Sequence, residues 1–286
     1  RVGGRIRDDS RHHHATLCGV ADRTRPRLSP RAGAKRYPYS ASRVSERMRI
    51  ARLLSTDGPV TGEYSDGVVH GGDGAYEVGV DGPLLPPCEP TALYCVGRNY
   101  AATIDQMGYE RPNQPSFFLK PPASLVGHEG SIRYPSFTDE LTYAGELAAV
   151  IDERCRDVTP DAVPDVVRGY TVMNDVDALD QASRTARKAF DGSGPLGPWI
   201  ETDVDPVGID MWTEVSGERR QEANTEQMLF KPNDIVSFLS ERFTFEPGDV
   251  VAFGSPENPG VIEPGDTVEI TYDGVGTLKN TVTGTR

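Results

Sequence analysis

The sequence predicts an α+β protein, mostly β, with a curled, barrel-like sheet as its main body and a small β-rich segment before it. Three observations point there. Short apolar runs bounded by Gly, Pro and Asp outnumber stretches with helical spacing. Two near-identical turns, Glu246-Pro247-Gly248-Asp249 and Glu263-Pro264-Gly265-Asp266, each precede a run of strand character. After the second turn Val268, Ile270 and Tyr272 alternate with polar residues, the period of a half-buried strand.

In chain order, residues 1–47 differ from the rest. They carry 12 Lys and Arg against 4 Asp and Glu, include the run His12-His13-His14, and show no apolar period, so they are expected to be a disordered basic tail. Met48 opens the first stretch with core character, Met48–Leu54, and is the expected start of the native chain, with residues 1–47 as upstream readthrough. Residues 48–90 read as a small N-terminal β domain, with strands at Gly67–His70 and Tyr76–Val80 and a stiff linker at Pro86-Pro87 and Pro90. Residues 91–286 form the main domain. Tyr94–Tyr100 runs from a strand into a helix stopped by Gly108, and Phe117–Lys120 is a strand ending in a cation. A helix is expected from Thr159-Pro160 to Gly169, a second from Asp177 to Lys188, and a third from Asn233 or Asp234, with Ile235, Phe238 and Leu239 on one face.

Charge narrows the function classes. The 239 residues after the tail hold 18 Lys and Arg against 39 Asp and Glu, and the whole chain carries −13. Such a surface repels phosphate, which excludes a nucleic-acid partner, and it suits solubility at high salt, as in a halophile. No apolar run approaches the roughly 18 residues that a membrane helix needs, and no secretory h-region leads the sequence. Cys18, Cys88, Cys95 and Cys155 show no paired spacing, so buried free thiols in a reducing cytoplasm are expected.

The chemistry concentrates between Leu141 and Pro198. Glu146 lies inside the apolar run Leu141–Ile151, and Asp175 closes the apolar segment Gly169–Asn174. A carboxylate in a buried strand is costly unless it is paired or holds a metal. Lys188 is the nearby cation and Lys120 ends an earlier strand, two of only four lysines after the tail. A compact ammonium retained where Arg supplies most of the positive charge points to a function for that charge.

Residues from about 93 to 283 resemble the fumarylacetoacetate hydrolase family. The likeness is carried by Gly97-Arg98-Asn99-Tyr100, Phe118-Leu119-Lys120, Gly145-Glu146-Leu147, Asn174-Asp175-Val176, Lys188-Ala189-Phe190-Asp191 and Pro195-Leu196-Gly197-Pro198, and further by Gln221, Thr225 and Gly254-Ser255-Pro256. It implies a mixed β-roll, a homodimer, and Mg2+- or Mn2+-assisted hydrolysis, decarboxylation or isomerisation of a small 2-oxo or β-diketo acid. A 2-oxo acid chelates a divalent ion through carboxylate and keto oxygens, and the ion stabilises the enolate. By that resemblance Glu146 and Asp175 are metal ligands, Lys188 and Lys120 are catalytic, and Arg98, Tyr100, Gln221 and Thr225 bind substrate.

The chain departs from the family pattern at five positions. The first Glu of a Glu-x-Glu pair falls on Ala144, a His–Glu base falls on Thr103 and Gln106, an Arg falls on Leu179 and a Gln on Ala182. His128 is a candidate substitute base, or else an exposed loop residue. Asp139, Glu140, Asp177 and Asp180 are candidates for the vacated ligand place. Without the His–Glu base, decarboxylation or enol–keto isomerisation is favoured over hydrolysis. The alternative is a non-catalytic small-acid binder, in which Glu146 and Asp175 form a structural salt bridge with Lys188.

Overall fold

The structure, a computed structural model, describes residues 47–285, Met107 by its backbone alone. The basic tail up to Glu46, with its His12–His14 run, lies outside the described residues.

A meander of β1 (Arg49–Ser55), β2 (Gly58–Ser65), β3 (Val68–Gly71) and β4 (Gly74–Glu77) leads through β5 (Leu84–Leu85) to β6 (Leu93–Val96), α1 (Ala101–Met107) and β7 (Phe117–Lys120). Then come β8 (Leu125–Val126), β9 (Ser131–Arg133), β10 (Leu141–Tyr143), β11 (Gly145–Ile151), α2 (Val163–Val166), β12 (Val167–Asn174) and β13 (Asp177–Ala178). The chain continues through α3 (Arg184–Lys188), β14 (Gly194–Glu201), β15 (Asp210–Val215), β16 (Glu218–Asn224) and α4 (Pro232–Ser240). It closes with β17 (Val250–Ala252), β18 (Gly260–Val261), β19 (Thr267–Tyr272) and β20 (Gly276–Thr283).

The largest sheet follows the order β4-β3-β2-β1-β14-β12-β11-β17-β6-β7 and stays open between β4 and β7. The fold is mostly β, as expected, without a closed barrel. Because β1 pairs with β14, the N-terminal meander continues the main sheet. A five-stranded sheet, β16-β15-β19-β20-β9, packs against it, and β13-β10-β18 form a third.

Strand β11 is buried along its whole length. Leu147, Ala149 and Ile151 face the larger core, with Ile270 and Leu278 of the five-stranded sheet. Ala148 and Val150 face a second cluster with Leu93, Cys95, Met173 and Val250. Alternation sends neighbouring side chains to opposite faces, so Glu146 shares the face of the second cluster. Gly145 allows the close approach. A Cβ there would lie 2.7 Å from Thr213 Oγ1 and 2.8 Å from Ile270 Cγ2.

Local signals placed α1 and α4 correctly. Gly108 stops α1 in a left-handed conformation at φ 66, and Pro232 opens α4 in its first turn, with Ile235 and Leu239 buried. Two helices are shorter than expected. The Thr159–Gly169 segment gives a 3-10 turn and only Val163–Val166 as helix, because Gly169 belongs to β12. A Cβ on Gly169 would lie 2.3 Å from the Glu201 carbonyl oxygen of β14, so that glycine serves strand packing. The expected Asp177–Lys188 helix keeps only Arg184–Lys188, because Asp177 and Ala178 pair with Thr142 and Leu141.

Candidate active site

Glu146 and Asp175 arrive together because β11 and β12 are antiparallel and pair Glu146 with Met173 and Gly145 with Asn174. The chain then leaves β12, and the Asp175 N–H donates to the Ala144 carbonyl at 2.9 Å. Both carboxylates are buried, at 2% and 3% exposure.

Asp175 lies between two ammonium groups. Lys120 Nζ is 2.9 Å from Oδ1 and Lys188 Nζ is 2.5 Å from Oδ2. Lys188 also lies 3.0 Å from Asp177 Oδ2, and Arg187 reaches both Asp177 oxygens, at 2.9 and 2.5 Å. Charges thus alternate from Lys120 through Asp175, Lys188 and Asp177 to Arg187. Burial alone would raise the Asp175 pKa, but the two ammonium groups outweigh it and hold the carboxyl below its usual range. Burial would lower Lys188, but Asp175 and Asp177 raise it above the ordinary lysine value. Lys188 is therefore a fixed cation rather than a base.

The two lysines differ in reach. Lys120 has a fully buried side chain and donates to the carbonyls of Val176, Lys188 and Ser193 at 3.0, 2.6 and 2.8 Å. Its three N–H bonds are spent on the frame around Asp175. Gly194 leaves room for it, since a Cβ there would lie 3.5 Å from Lys120 Cδ and 2.9 Å from Ser124 Oγ. Lys188 retains 14% side-chain exposure and is the more open of the two ammonium groups.

Glu146 is unlike Asp175. Burial first, and the neighbouring Asp175 charge second, push its pKa up to about 8. Its Oε2 accepts the Gly254 N–H at 3.0 Å, and no described residue donates to Oε1. The salt-bridge reading therefore fits Asp175 but not Glu146, which has no cation in contact among the described residues.

These oxygens decide whether a divalent ion suits the site. Glu146 offers an open hard oxygen, and Asp175 a second carboxylate. Among the described residues no group of three or more His, Cys, Asp or Glu side chains is arranged to hold a metal, and Ala144, two residues before Glu146, brings no donor side chain. Mg2+ is commonly held by one or two carboxylates with water completing its shell, so the pair fits such an ion.

The other candidate residues serve different ends. Arg98 is exposed, its guanidinium 3.6 Å from the Tyr109 ring centroid. Tyr100 is 1% exposed within the large core. Gln221 spends its whole amide inside the fold. Its Oε1 accepts from Gly145 N and Thr213 Oγ1, and its Nε2 donates to Ser255 Oγ and the Pro256 and Glu257 carbonyls. Thr225 Oγ1 accepts the Ile209 N–H at 2.9 Å and is fully buried. Thr103 donates to the Ser255 carbonyl, and Gln106 exchanges two hydrogen bonds with Asn258, so α1 is fastened to the 255–258 loop. His128 is half-buried rather than an exposed loop residue. Its Nδ1 accepts the Lys279 N–H, and burial lowers its pKa.

Asp177 enters the sequence reading only as a substitute ligand, whereas it lies directly on Lys188 and Arg187. Arg184 and Arg187 are missed entirely. The available signal was their spacing, four and one residues before Lys188 on one short helix. Asp180 accepts from the Thr138 hydroxyl and the Asp139 N–H at the surface.

Comparisons with known proteins show the family. The family described as "Fumarylacetoacetate (FAA) hydrolase C-terminal" matches residues 92–283. A mitochondrial oxaloacetate tautomerase of Bos taurus is 33% identical over 197 residues, 65% of this chain and 89% of the relative. The crystal structure of a 2-hydroxyhepta-2,4-diene-1,7-dioate isomerase from Mycobacterium marinum superposes with TM-score 0.75 at 35% identity, covering 82% of this chain and 98% of that one. A fumarylpyruvate hydrolase from Pseudomonas aeruginosa, solved with Mn2+ and pyruvate, gives TM-score 0.65 at 30% identity, covering 77% of this chain and 97% of that one. The chain belongs to the fumarylacetoacetate hydrolase family.

Proposed function

We propose that this chain is an enzyme that isomerises or decarboxylates a small 2-oxo or β-diketo acid, with Mg2+ or Mn2+ held by Glu146 and Asp175. The observation that carries this reading is the Lys120–Asp175–Lys188 triad buried beside the open Glu146 carboxyl. When bound, the ion supplies Lewis-acid polarisation of the substrate's keto oxygen. The chain's own residues do the rest. Lys188, kept protonated by Asp175 and Asp177, attracts the substrate carboxylate and the negative oxygen that develops on enolisation. Lys120 holds Asp175 in place. Cys95, Leu93 and Met173 line the apolar face beside the charges and keep water out.

Hydrolysis needs a base that activates water. Thr103 and Gln106 are not bases, and both are engaged with the 255–258 loop. This supports loss of CO2, whose bond-breaking step needs no base, over hydrolytic cleavage. In ketonisation the enol oxygen gives its proton to solvent water and the carbon takes one from it. The test follows enol absorbance and CO2 release from oxaloacetate, and cleavage of an acylpyruvate, with Mn2+ present. Ketonisation or decarboxylation that disappears in Lys188→Met is expected. If no acid reacts above background, the reading as an enzyme fails and a small-acid binder takes its place.

The same reading includes a homodimer in the cytoplasm. Phe137, Leu179 and Val261 expose apolar side chains around the three-stranded sheet, a face suited to a second copy. Cys88 and Cys95 are buried free thiols, which suits a reducing compartment. No helix among the described residues is long and apolar enough to cross a membrane.

A further inference from the structure

We infer that Arg184 is a specificity-determining residue that receives the distal carboxylate of a dicarboxylic 2-oxo acid whose keto-acid end lies at Lys188. The inference rests on the 2-oxo acid reading above and extends it to a substrate class and a residue.

Arg184 and Lys188 stand four apart on α3, one above the other on the same helix face. Both reach the ring of Phe118 on β7. The guanidinium carbon lies 5.7 Å from its centroid and the Lys188 Nζ 5.4 Å. Two like charges at this spacing disfavour the helix, and a shared aromatic face offsets only part of that cost. The neighbours are neutralised. Lys188 lies on Asp175 and Asp177, and Arg187 on Asp177. Arg184 bonds only the Ser116 hydroxyl, at 3.0 Å, and no carboxylate pairs with it among the described residues. In a chain where acids outnumber bases by 39 to 18 after residue 47, an arginine left without an acid beside a buried reaction centre is set for an external anion.

Geometry defines that anion. Four residues of helix, about 6 Å of rise, separate the two Cα atoms on α3, and both charges lie against the one Phe118 ring. A short diacid spans such a gap, with one carboxylate at Lys188 and the other on the planar guanidinium fork, which suits bidentate carboxylate contact.

The experiment measures calorimetric binding of 2-oxoglutarate and of 2-oxopentanoate, its monoacid counterpart of equal length, to the full chain with Mn2+. The native protein is expected to prefer the diacid. Arg184→Gln should weaken the diacid roughly tenfold or more, the loss of one charge-assisted contact, and leave the monoacid within about twofold. Arg184→Lys should restore part of the preference, and it serves as the test variant if Arg184→Gln melts early. Equal weakening of both acids, or no native preference for the diacid, overturns the inference while the 2-oxo acid reading stands. Native protein that binds neither acid overturns both.

Discussion

Lys188 Nζ lies 2.5 Å from Asp175 Oδ2, while the other oxygen of the same carboxylate is held by a second lysine with no exposed surface. One acid thus joins a fully buried cation to a partly exposed one, and the two lysines should fail differently when removed.

Lys120→Met takes one of two cations from Asp175 and leaves the Val176 carbonyl without a donor in a dry interior, while the Lys188 and Ser193 carbonyls keep the Ser193 hydroxyl and the Val176 N–H. Breaking a buried, hydrogen-bonded charge pair costs about 3–5 kcal/mol, and urea denaturation should show a loss of that order. Lys188→Met leaves Asp175 on Lys120 and Asp177 on Arg187, so the expected cost is only about 1–2 kcal/mol, with substrate binding abolished. Equal destabilisation by the two variants would show that Lys188 belongs to the frame as well.

Glu146 sets a pH dependence of stability and of metal binding. Its folded pKa of about 8 stands above the ordinary value of 4.5. The folded state therefore holds a proton that the unfolded state releases. This contribution to stability is fully present below 4.5 and is lost as pH rises through about 8. Metal binding has the opposite slope, because the ion needs the carboxylate and competes with the proton. Mn2+ affinity should climb from pH 6 to pH 8 and level off above it. In Glu146→Gln both slopes should flatten, read by thermal melting and by metal titration across that range. A Glu146→Gln variant that keeps the native pH profile would assign the titration to another group.

How far these features are legible in the sequence depends on the distance between partners in the chain. Gly108 ends α1 and Pro232 starts α4 by local backbone preference, so both were legible. Asp177 and Ala178 carry no local mark of a strand. They become one only because Leu141 and Thr142, more than thirty residues earlier, offer a free edge. The site divides the same way. Glu146 and Asp175 stand out as acids in apolar runs, and Lys188 as a rare lysine. The role of Lys120 was hidden because its carbonyl partners lie 56, 68 and 73 residues downstream. Tyr100, Gln221 and Thr225 carry polar atoms that look available in a sequence. The fold turns Tyr100 into the core and uses the hydrogen bonds of Gln221 and Thr225 to join the 255–258 loop and β15 to their neighbours. Arg184 carries no signal in the sequence, because Phe118, the ring that both it and Lys188 reach, lies on a strand far earlier in the chain.

Ala144 bears on the metal most directly. It is 8% exposed and precedes Gly145 at the start of β11, and its carbonyl accepts the Asp175 N–H while its N–H donates to Asn174 Oδ1. The backbone at this position is therefore fixed to the segment that carries Asp175, and a side chain added here enters the site without new loop ordering. Ala144→Glu adds a third carboxylate to Glu146 and Asp175. Electrostatic attraction for a divalent ion rises, and one more water leaves its shell. Bare Mn2+ should bind tenfold or more tightly than to the native protein, about 1.4 kcal/mol per tenfold. The advantage should shrink when oxalate is present, because its two oxygens already replace water in the native complex. By linkage, oxalate and Mn2+ must strengthen each other by one common factor in each protein, so titrating in both orders checks the data internally. The added side chain must fit beside Asn174 and Asp175, and a parallel melt reports whether it does. A well-folded Ala144→Glu protein with unchanged Mn2+ affinity would remove Glu146 and Asp175 as the metal ligands, and the site would then be a lysine-based anion pocket.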